Sequence, residues 1–385
     1  MRQMHQTVKI IRITAVLLAV AAIFFFFKAY QRQLRRRETS AELERAVELS
    51  NQAVALSQKE EYSQAIALLK QARRLAPADS AITANLSNIY GNLIIITYRR
   101  GDYKKVLDLG AEARRDSLKS TALYYLNAQA FYLNNRIDSA IFLLEEAARL
   151  LPENKELSQR LAQLKSETRV EQGFEQGRSG YFDIKFQGVE NRTVSDEVLM
   201  MLEEIRDRVG SELGHRIRGN TSVILYSDQQ FRDITHLASW AGAAFDGKIR
   251  VPVANYRDDR RLLKKVLTHE FTHAAIYDMV GGRCPSWLNE GLAMLLEGQT
   301  PDEQVYLPLN RLQRPFTALD EDHALEAYRA SLSAAYYLTK QYDWAFVRLL
   351  FTKMQPGSDF SQAFKEAYGF SVEEFEKKWK ESLAK

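Results

Sequence analysis

The chain has 385 residues, too many for one ordinary hydrophobic core, which predicts two or three folded units. Eight Lys or Arg residues and no acid lie within residues 1–37, so the remaining 348 residues carry 45 basic and 49 acidic side chains, a net charge of −4. This balance excludes a strongly basic folded part, and we predict no nucleic-acid partner. The single cysteine, Cys284, excludes an internal disulfide.

Residues 13–27 form an uncharged, mostly apolar segment that ends in four phenylalanines and has basic flanks. The segment is a short but workable membrane span if Arg12 and Lys28 reach toward the headgroups. We therefore predict that residues 1–37 are an N-terminal transmembrane anchor. A cleaved signal peptide is the alternative, although cleavage at the small residues of this segment would leave a mature end of phenylalanines. The positive-inside rule, applied to the basic flanks, favours a cytoplasmic C-terminal part.

Residues 41–168 contain three similar helical segments. They align with one another over residues 59–77, 100–116 and 134–152. Tyr62, Tyr103 and Ile137 then fall in register, at offsets of 41 and 34 residues, and the larger offset predicts a longer connection in the first repeat. A 34-residue step with small residues, an apolar stripe and a closing proline resembles tetratricopeptide repeats. The resemblance implies a concave surface that binds protein partners. A non-repetitive helical bundle is the alternative.

Residues 169–180 contain three glycines and no strong apolar period, which predicts a linker. A second domain, residues 181–385, follows it. Its first part predicts strands at 181–186, 221–226 and 248–253 and helices near 194–213 and at 258–280. Pro252 cannot donate to a sheet ladder, so we expect the strand at 248–253 to be an edge strand. The order of elements predicts an α+β domain.

The helix at 258–280 carries the sequence His269-Glu270-Phe271-Thr272-His273. Histidines at i and i+4 lie on one helical face, where both imidazoles can bind one zinc ion. Glu270 lies beside that face and can act on the metal-bound water without binding the metal. We therefore predict Glu270 as the catalytic carboxylate. Two exposed or core histidines on an ordinary helix are the alternative.

A third ligand is expected from Glu290, which has sixteen residues between it and His273. Glu290 lies near the start of what reads as the next helix, over 285–298, and that helix can pack antiparallel to the first. A carboxylate there completes a three-ligand set and leaves the fourth position for water. We predict one Zn²⁺ per chain, held by His269, His273 and Glu290.

These motifs resemble those of the gluzincin metallopeptidases, whose HExxH helix is followed by a glutamate ligand on a second helix. The stretch WLNEG is the form taken in gluzincin aminopeptidases, although their recognition motif GAMEN is absent here. A closer resemblance is to bacterial peptidase MA-like proteins, which share a W-A-x-x-x-x-D-G-K-I-x-x-P strand, an A-Y-x-x-S helix and an ending similar to 360–379. The matching residues here are Trp240, Ala241, Asp246, Gly247, Lys248, Ile249, Pro252, Ala327, Tyr328 and Ser331.

The resemblance covers essentially all of residues 181–385. It implies an α+β zincin-like metallopeptidase domain, preceded here by an all-α tetratricopeptide-like repeat domain and an N-terminal transmembrane helix. It also implies a bacterial inner-membrane protein whose peptidase domain is periplasmic or extracellular, against the count of basic flanking residues.

Within the second domain we expect a peptide or protein substrate to add a strand to the edge at 249–253. Tyr328 is our candidate donor to the oxyanion, with His323 second, and a core aromatic is the alternative for Tyr328. Cys284 has no histidine beside it in sequence and reads as structural.

Three functions stay open from sequence. The first is an active endopeptidase whose repeats recruit protein substrates or partners. The second is an exopeptidase, favoured only by WLNEG. The third is a catalytically silent tetratricopeptide scaffold that retains a zincin fold.

Overall fold

The computed structural model describes residues 28, 31, 40–99, 102–134, 136–188, 190–217, 219–235, 243–256, 259–301, 305–354 and 358–384. The chain divides into two compact units, of which the first is Met1–Leu93 with Asp116–Leu118 and the second is Ile94–Arg115 with Lys119–Lys385. The predicted membrane segment at 13–27 lies outside the described residues. Among the described helices, none combines the length and the apolar character needed to cross a membrane.

The first unit is helical where it is described. Helix α1 covers residues 40–58, α2 covers Tyr62–Leu75, and α3 covers Ser80–Arg99, with the division between the units falling inside α3. The residues that α2 buries are spaced for one helical face: Ala65, Ile66, Leu69 and Ala72. They form a core stripe along the helix.

The helices that follow continue the pattern of pairs. Helix α4 covers Tyr103–Arg115, α5 Thr121–Leu133, α6 Ile137–Leu150 and α7 Lys155–Glu171. Helices α2, α4 and α6 begin at the three residues that align in sequence, which is compatible with repeats. The longer first offset comes from α3, which has 20 residues where α5 has 13. The seven extra residues therefore extend a helix, and the predicted longer connection is wrong.

A five-stranded mixed sheet follows the helices. Strand β1 is Glu175–Arg178, β2 Phe182–Phe186, β3 Thr221–Tyr226, β4 Ala244–Phe245 and β5 Ile249–Pro252, in the order β1-β2-β3-β5-β4. The central pairs β2–β3 and β3–β5 are parallel, and β1 and β4 pair antiparallel at the two ends. Helix α8, Glu190–Leu213, connects β2 to β3, and α9, Asp228–Thr235, follows β3.

The edge of the sheet is β4, so the prediction that residues 248–253 form an edge strand is wrong. Gly247 has a φ of 101°, a conformation that favours glycine, and the turn it forms folds β4 back onto β5. Leu133 of α5 packs so closely on this turn that a Cβ on Gly247 would lie 2.6 Å from its Cδ2. Pro252 is the last residue of its strand.

A buried ionic network joins α7 to the sheet. The network consists of Glu167, Glu171, Lys185, Asp246, Lys248 and Arg250. Lys248 Nζ donates to Glu167 Oε1 at 2.7 Å, and the Arg250 guanidinium lies 3.0 Å from the same oxygen and 3.1 Å from Asp246 Oδ1. Both cations and Glu167 are only 1% exposed. Three acids face three bases, so the buried charges balance.

The network corrects the predicted domain boundary. Residues 169–180, expected to be a linker, contain the end of α7 and strand β1. Helices α4–α7 belong to the same compact unit as the sheet, whereas the sequence places them in a separate repeat domain. The physical reason is that Lys248 and Arg250 are buried inside the sheet and need the carboxylates of α7 as counter-charges.

Five helices complete the second unit: α10 Arg260–Val280, α11 Ser286–Glu297, α12 Glu321–Lys353, α13 Phe360–Tyr368 and α14 Val372–Ser382. Trp287 of α11 is fully buried and stacks on Phe375 of α14, with ring centroids 5.8 Å apart. Trp379 of α14 donates its indole N–H to Ser333 Oγ of α12 at 3.1 Å. The C-terminal helices thereby hold α11 and α12 in place.

Candidate metal centre and cleft

Helix α10 positions both histidines of the HExxH motif. Its N-cap, Asp259, accepts hydrogen bonds from the backbone N–H groups of the first turn at 3.0 and 2.9 Å, which fixes where the helix begins. Phe271 is buried in the core, whereas His269 and His273 face away from it and lie one turn apart, with ring centroids 4.7 Å apart. Glu270 is 7% exposed.

Helix α11 brings Glu290 to the two histidines. Its carboxylate Oε2 lies 3.3 Å from His269 Nε2 and 3.3 Å from His273 Nε2. Ligand atoms placed at about 2.0–2.1 Å from a tetrahedral zinc ion are separated by about 3.3–3.4 Å, so these distances fit one ion. The three side chains are between 11% and 18% exposed, which shields them from bulk water.

Buried polar atoms at this point lack other partners. Within the described part of the chain, Glu290 Oε2 and His273 Nδ1 are buried without a hydrogen bond of good geometry. A buried carboxylate oxygen without a donor costs free energy, and a divalent cation between the three side chains would remove that cost for Glu290. The donor set of two imidazoles and one carboxylate also fits zinc.

The electrostatics of the group also favour a cation. Burial would lower the pKa of His269, but Glu290 and Glu297 hold it well above its usual value. Burial would raise the pKa of Glu290, but the adjacent imidazoles hold it well below its usual value. The carboxylates thus raise the pKa of both imidazoles, and the same negative field would attract a divalent cation.

Gly291, the last residue of WLNEG, allows α11 to approach α12 closely. A Cβ at this position would lie 2.4 Å from the backbone oxygen of Ser331 and 2.6 Å from Ala335 Cβ. The glycine therefore has a packing role that the motif alone does not reveal. Because Gly291 follows Glu290 directly, this close packing also helps to fix where the carboxylate lies.

Gly291→Ala is expected to destabilise the protein by up to about 2 kcal/mol, because overpacking against a backbone atom costs about 1–3 kcal/mol and alanine regains only roughly 1 kcal/mol as a helix former. Chemical denaturation measures this change. Gly91→Ala is the matched control, since Gly91 is helical and a Cβ there meets nothing within 4 Å. Equal stability changes for the two variants would contradict the packing role of Gly291.

Glu297 is a site residue that the sequence analysis missed. Its Oε2 lies 3.0 Å from His269 Nδ1, and its side chain is 9% exposed. A carboxylate that accepts the Nδ1 proton leaves Nε2 as the metal-binding nitrogen and fixes the ring orientation. Glu297 comes seven residues, or two helical turns, after Glu290, so the helical period of α11 could have identified it.

Glu297→Gln is expected to weaken zinc binding about 10- to 100-fold, because the amide loses the charge that orients and polarises His269. A titration of the full chain against a zinc-chelating dye measures the affinity. The control is Glu326→Gln, which changes an exposed acid on α12. Similar zinc affinities in the two variants would show that Glu297 does not orient the ligand.

The three side chains line a cleft of about 1130 Å³. Its walls come from β4, from α10, α11 and α12, and from α5 and α7 of the helical region. A volume of this order exceeds that of most small-molecule pockets and suits an extended ligand. Helices α5 and α7 therefore line the same cleft as His269, His273 and Glu290.

The structure places Tyr328 in this cleft and His323 outside it. Burial, and then the charges of Glu290 and Glu270, raise the pKa of Tyr328, so its hydroxyl keeps its proton and can donate. His323 is 71% exposed and pairs with Asp320 at the N-terminus of α12. Of the two candidate oxyanion donors, Tyr328 lines the cleft and His323 does not.

Cys284 lines the cleft, and burial raises the pKa of its thiol. A thiol that stays protonated is a poor nucleophile, in line with the structural interpretation. Asp246 and Lys248 of the D-G-K-I stretch belong to the buried ionic network, while Trp240 and Ala241 lie outside the described residues.

An HExxH helix and a second helix that supplies a carboxylate as the third possible ligand, in the same unit as a mixed sheet, are consistent with a zincin-like peptidase. A family model described as Peptidase MA superfamily matches residues 204–385. This part of the chain contains His269, Glu270, His273, Glu290 and Tyr328, and it leaves out helices α1–α7 and the first two strands. A comparison with curated proteins finds no match.

Proposed function

We propose that this chain is a membrane-anchored, zinc-dependent metallopeptidase that hydrolyses peptide bonds within protein substrates. The observation that carries the proposal is the position of Glu290 Oε2, 3.3 Å from both histidine Nε2 atoms, in a large cleft that Glu270 also lines. The match of residues 204–385 to the Peptidase MA superfamily supports the same class of activity.

The residues that would hold the ion are His269, His273 and Glu290. When bound, zinc supplies a Lewis acid that polarises a carbonyl and lowers the pKa of water. Glu270 takes a proton from the attacking water and delivers it to the leaving amine. Burial raises the pKa of Glu270, which brings it closer to that of the groups with which it exchanges the proton. The Tyr328 hydroxyl donates a hydrogen bond to the carbonyl oxygen as negative charge develops there.

Strand β4 supports cleavage at internal bonds. It is two residues long, is the last strand of the sheet among the described residues and lines the cleft, so an extended peptide can pair with its backbone. Main-chain pairing needs no free terminus. The substrate would thus pair with β4, and not with residues 249–253 as expected from sequence.

The proposal is tested by metal analysis and peptide cleavage with the purified full chain. We expect about one zinc per chain and cleavage of an internally quenched peptide whose two termini are blocked. A chelator should abolish the activity and added zinc should restore it. Cleavage restricted to peptides with a free N-terminus would overturn the endopeptidase assignment. Bound zinc without any hydrolysis would favour a silent scaffold.

The N-terminal membrane anchor and its orientation are tested separately from the peptidase activity. We propose that residues 1–37 span the bacterial inner membrane and that the peptidase domain is periplasmic or extracellular, with the repeats recruiting protein partners or substrates. A C-terminal reporter that is active only outside the cytoplasm should be active. Activity of a cytoplasm-restricted reporter at the same position would overturn the orientation.

A further inference from the structure

The part of the cleft formed by the repeat helices contains an arginine that is held in place without a carboxylate partner. Arg160 of α7 lines the cleft and is partly buried. Its guanidinium donates to Gln163 Oε1 at 2.8 Å and to Gln129 Oε1 at 3.2 Å. Among the described residues, no Asp or Glu oxygen lies within 4 Å of it. Two of its five N–H groups are thus used, and its charge is uncompensated at short range.

The guanidinium rests on an aromatic ring that is itself fixed. Arg160 lies over the Tyr132 ring of α5, 4.6 Å from the centroid. The Tyr132 hydroxyl lies 3.1 Å from Glu167 Oε2 and 3.0 Å from Asp246 Oδ2, inside the buried ionic network. Gln163 is held at its other end too, because its Nε2 donates to the backbone oxygen of Ile234 at 3.3 Å. The cation is therefore preorganised, so binding a ligand costs little side-chain entropy.

The charges along the cleft are unevenly distributed. Three acids, Glu270, Glu290 and Glu297, line the cleft close to His269 and His273. At the end formed by α5 and α7, Asp246 is bound by Arg250, so the charge there that lacks a close partner is that of Arg160. A planar guanidinium with free N–H groups binds a carboxylate better than any other group that a peptide offers.

We propose that helices α5 and α7 form a carboxylate-binding subsite of the cleft, in which Arg160 binds a carboxylate of the peptide substrate. The inference rests on the proposed function in taking a peptide as the ligand. It makes the helical region a specificity determinant of the peptidase, beyond a surface for recruiting partners. The carboxylate comes either from an Asp or Glu side chain or from the C-terminus of the peptide.

Binding of fluorescent peptides to the full chain carrying Glu270→Gln tests the subsite, because this chain should bind peptides without cleaving them. The peptides share one neutral sequence and carry a single Glu, or Gln in its place, at each successive position, with a free or an amidated C-terminus. We expect one Glu position, or the free C-terminus, to bind about 10- to 100-fold more tightly than its amide counterpart, as a charge-assisted hydrogen bond predicts. The arm that shows the preference identifies the source of the carboxylate.

Arg160→Gln, added to the Glu270→Gln chain, should reduce the ratio of the affinities for the acid peptide and its amide counterpart to about one. Arg160→Glu in the same chain should favour a peptide with Lys in place of Glu at that position. Arg169→Gln, which changes an exposed arginine of α7, is the matched control and should keep the ratio. Equal affinity for every acid and amide pair in the chain with Arg160 intact overturns the subsite, whether or not the wild-type chain cleaves peptides. An acid preference that depends on Arg160, in a protein that cleaves none of these peptides, would support the subsite and overturn the hydrolytic function.

Discussion

Replacing Glu270 by glutamine is expected to lower kcat/KM for an internally cleaved peptide about 10²- to 10⁴-fold, while about one zinc remains bound per chain. Glu270 lies in the cleft but outside the group of His269, His273 and Glu290 that could hold the ion. Glutamine has nearly the same size and cannot take a proton from water. The proton transfer should therefore be lost without loss of the metal.

The matched variant is Glu290→Gln, which should lose zinc and activity together because it removes one of the three proposed ligands. Metal content and peptide cleavage are measured on both purified proteins. The two variants therefore separate proton transfer from metal binding. Full activity in Glu270→Gln would remove the carboxylate from the mechanism, and loss of zinc in Glu270→Gln would reassign it as a ligand.

Replacing Glu167 by alanine is expected to destabilise the second unit by about 3–5 kcal/mol, the usual cost of leaving a buried charge without its partner. Lys248 and Arg250 each lie within about 3 Å of Glu167 Oε1, and all three residues are 1% exposed. Burial would raise the pKa of Glu167, but Arg250 and Lys248 hold it below its usual value, so it is charged at neutral pH. Chemical denaturation of the full chain measures the loss.

Glu145→Ala is the control for this prediction, because the Glu145–Lys165 pair also reaches α7 but is 35% and 47% exposed. An exposed pair contributes no more than about 1 kcal/mol. The double variant Glu167→Ala, Lys248→Met should be more stable than Glu167→Ala alone, since it removes one of the unpaired cations. Equal stability of Glu167→Ala and Glu145→Ala would show that water or other groups compensate the two cations.

Truncation of the chain before residue 181 would remove the α7 carboxylates that pair with Lys248 and Arg250. A fragment of residues 181–385, the domain suggested by sequence, would lack β1 and would expose Lys248 and Arg250 without the α7 carboxylates. We expect this fragment to be insoluble or unfolded, as judged by circular dichroism after expression. A folded, zinc-binding fragment would mean that helices α1–α7 are dispensable for the fold.

The features that could be predicted from sequence depend on spacing along one element or on the order of adjacent ones. His269 and His273 share a face because four residues make about one helical turn, and the starts of α2, α4 and α6 follow from a repeated pattern. The meeting of Glu290 with both histidines follows from two consecutive helices joined by a short connection. The roles assigned to these side chains in binding zinc and in catalysis stay predictions.

The features that sequence reasoning missed depend on residues far apart in the chain. The edge position of β4 depends on pairing through the Gly247 turn, and the loss of the expected linker depends on ion pairs between Glu167 and cations more than 80 residues later. Buried lysine and arginine within a strand give no sign in sequence of where their counter-charges lie.

The meeting of His269, His273 and Glu290 is thus the feature on which sequence and structure agree most closely. By itself the sequence determined the HExxH helix and the glutamate on the helix that follows it, because helical periodicity fixes which side chains share a face. Only the tertiary structure decided that α5 and α7 form a wall of the cleft and that Glu297 orients His269. The reason is that hydrogen bonds, ion pairs and close packing across the fold depend on distances that local sequence patterns do not contain.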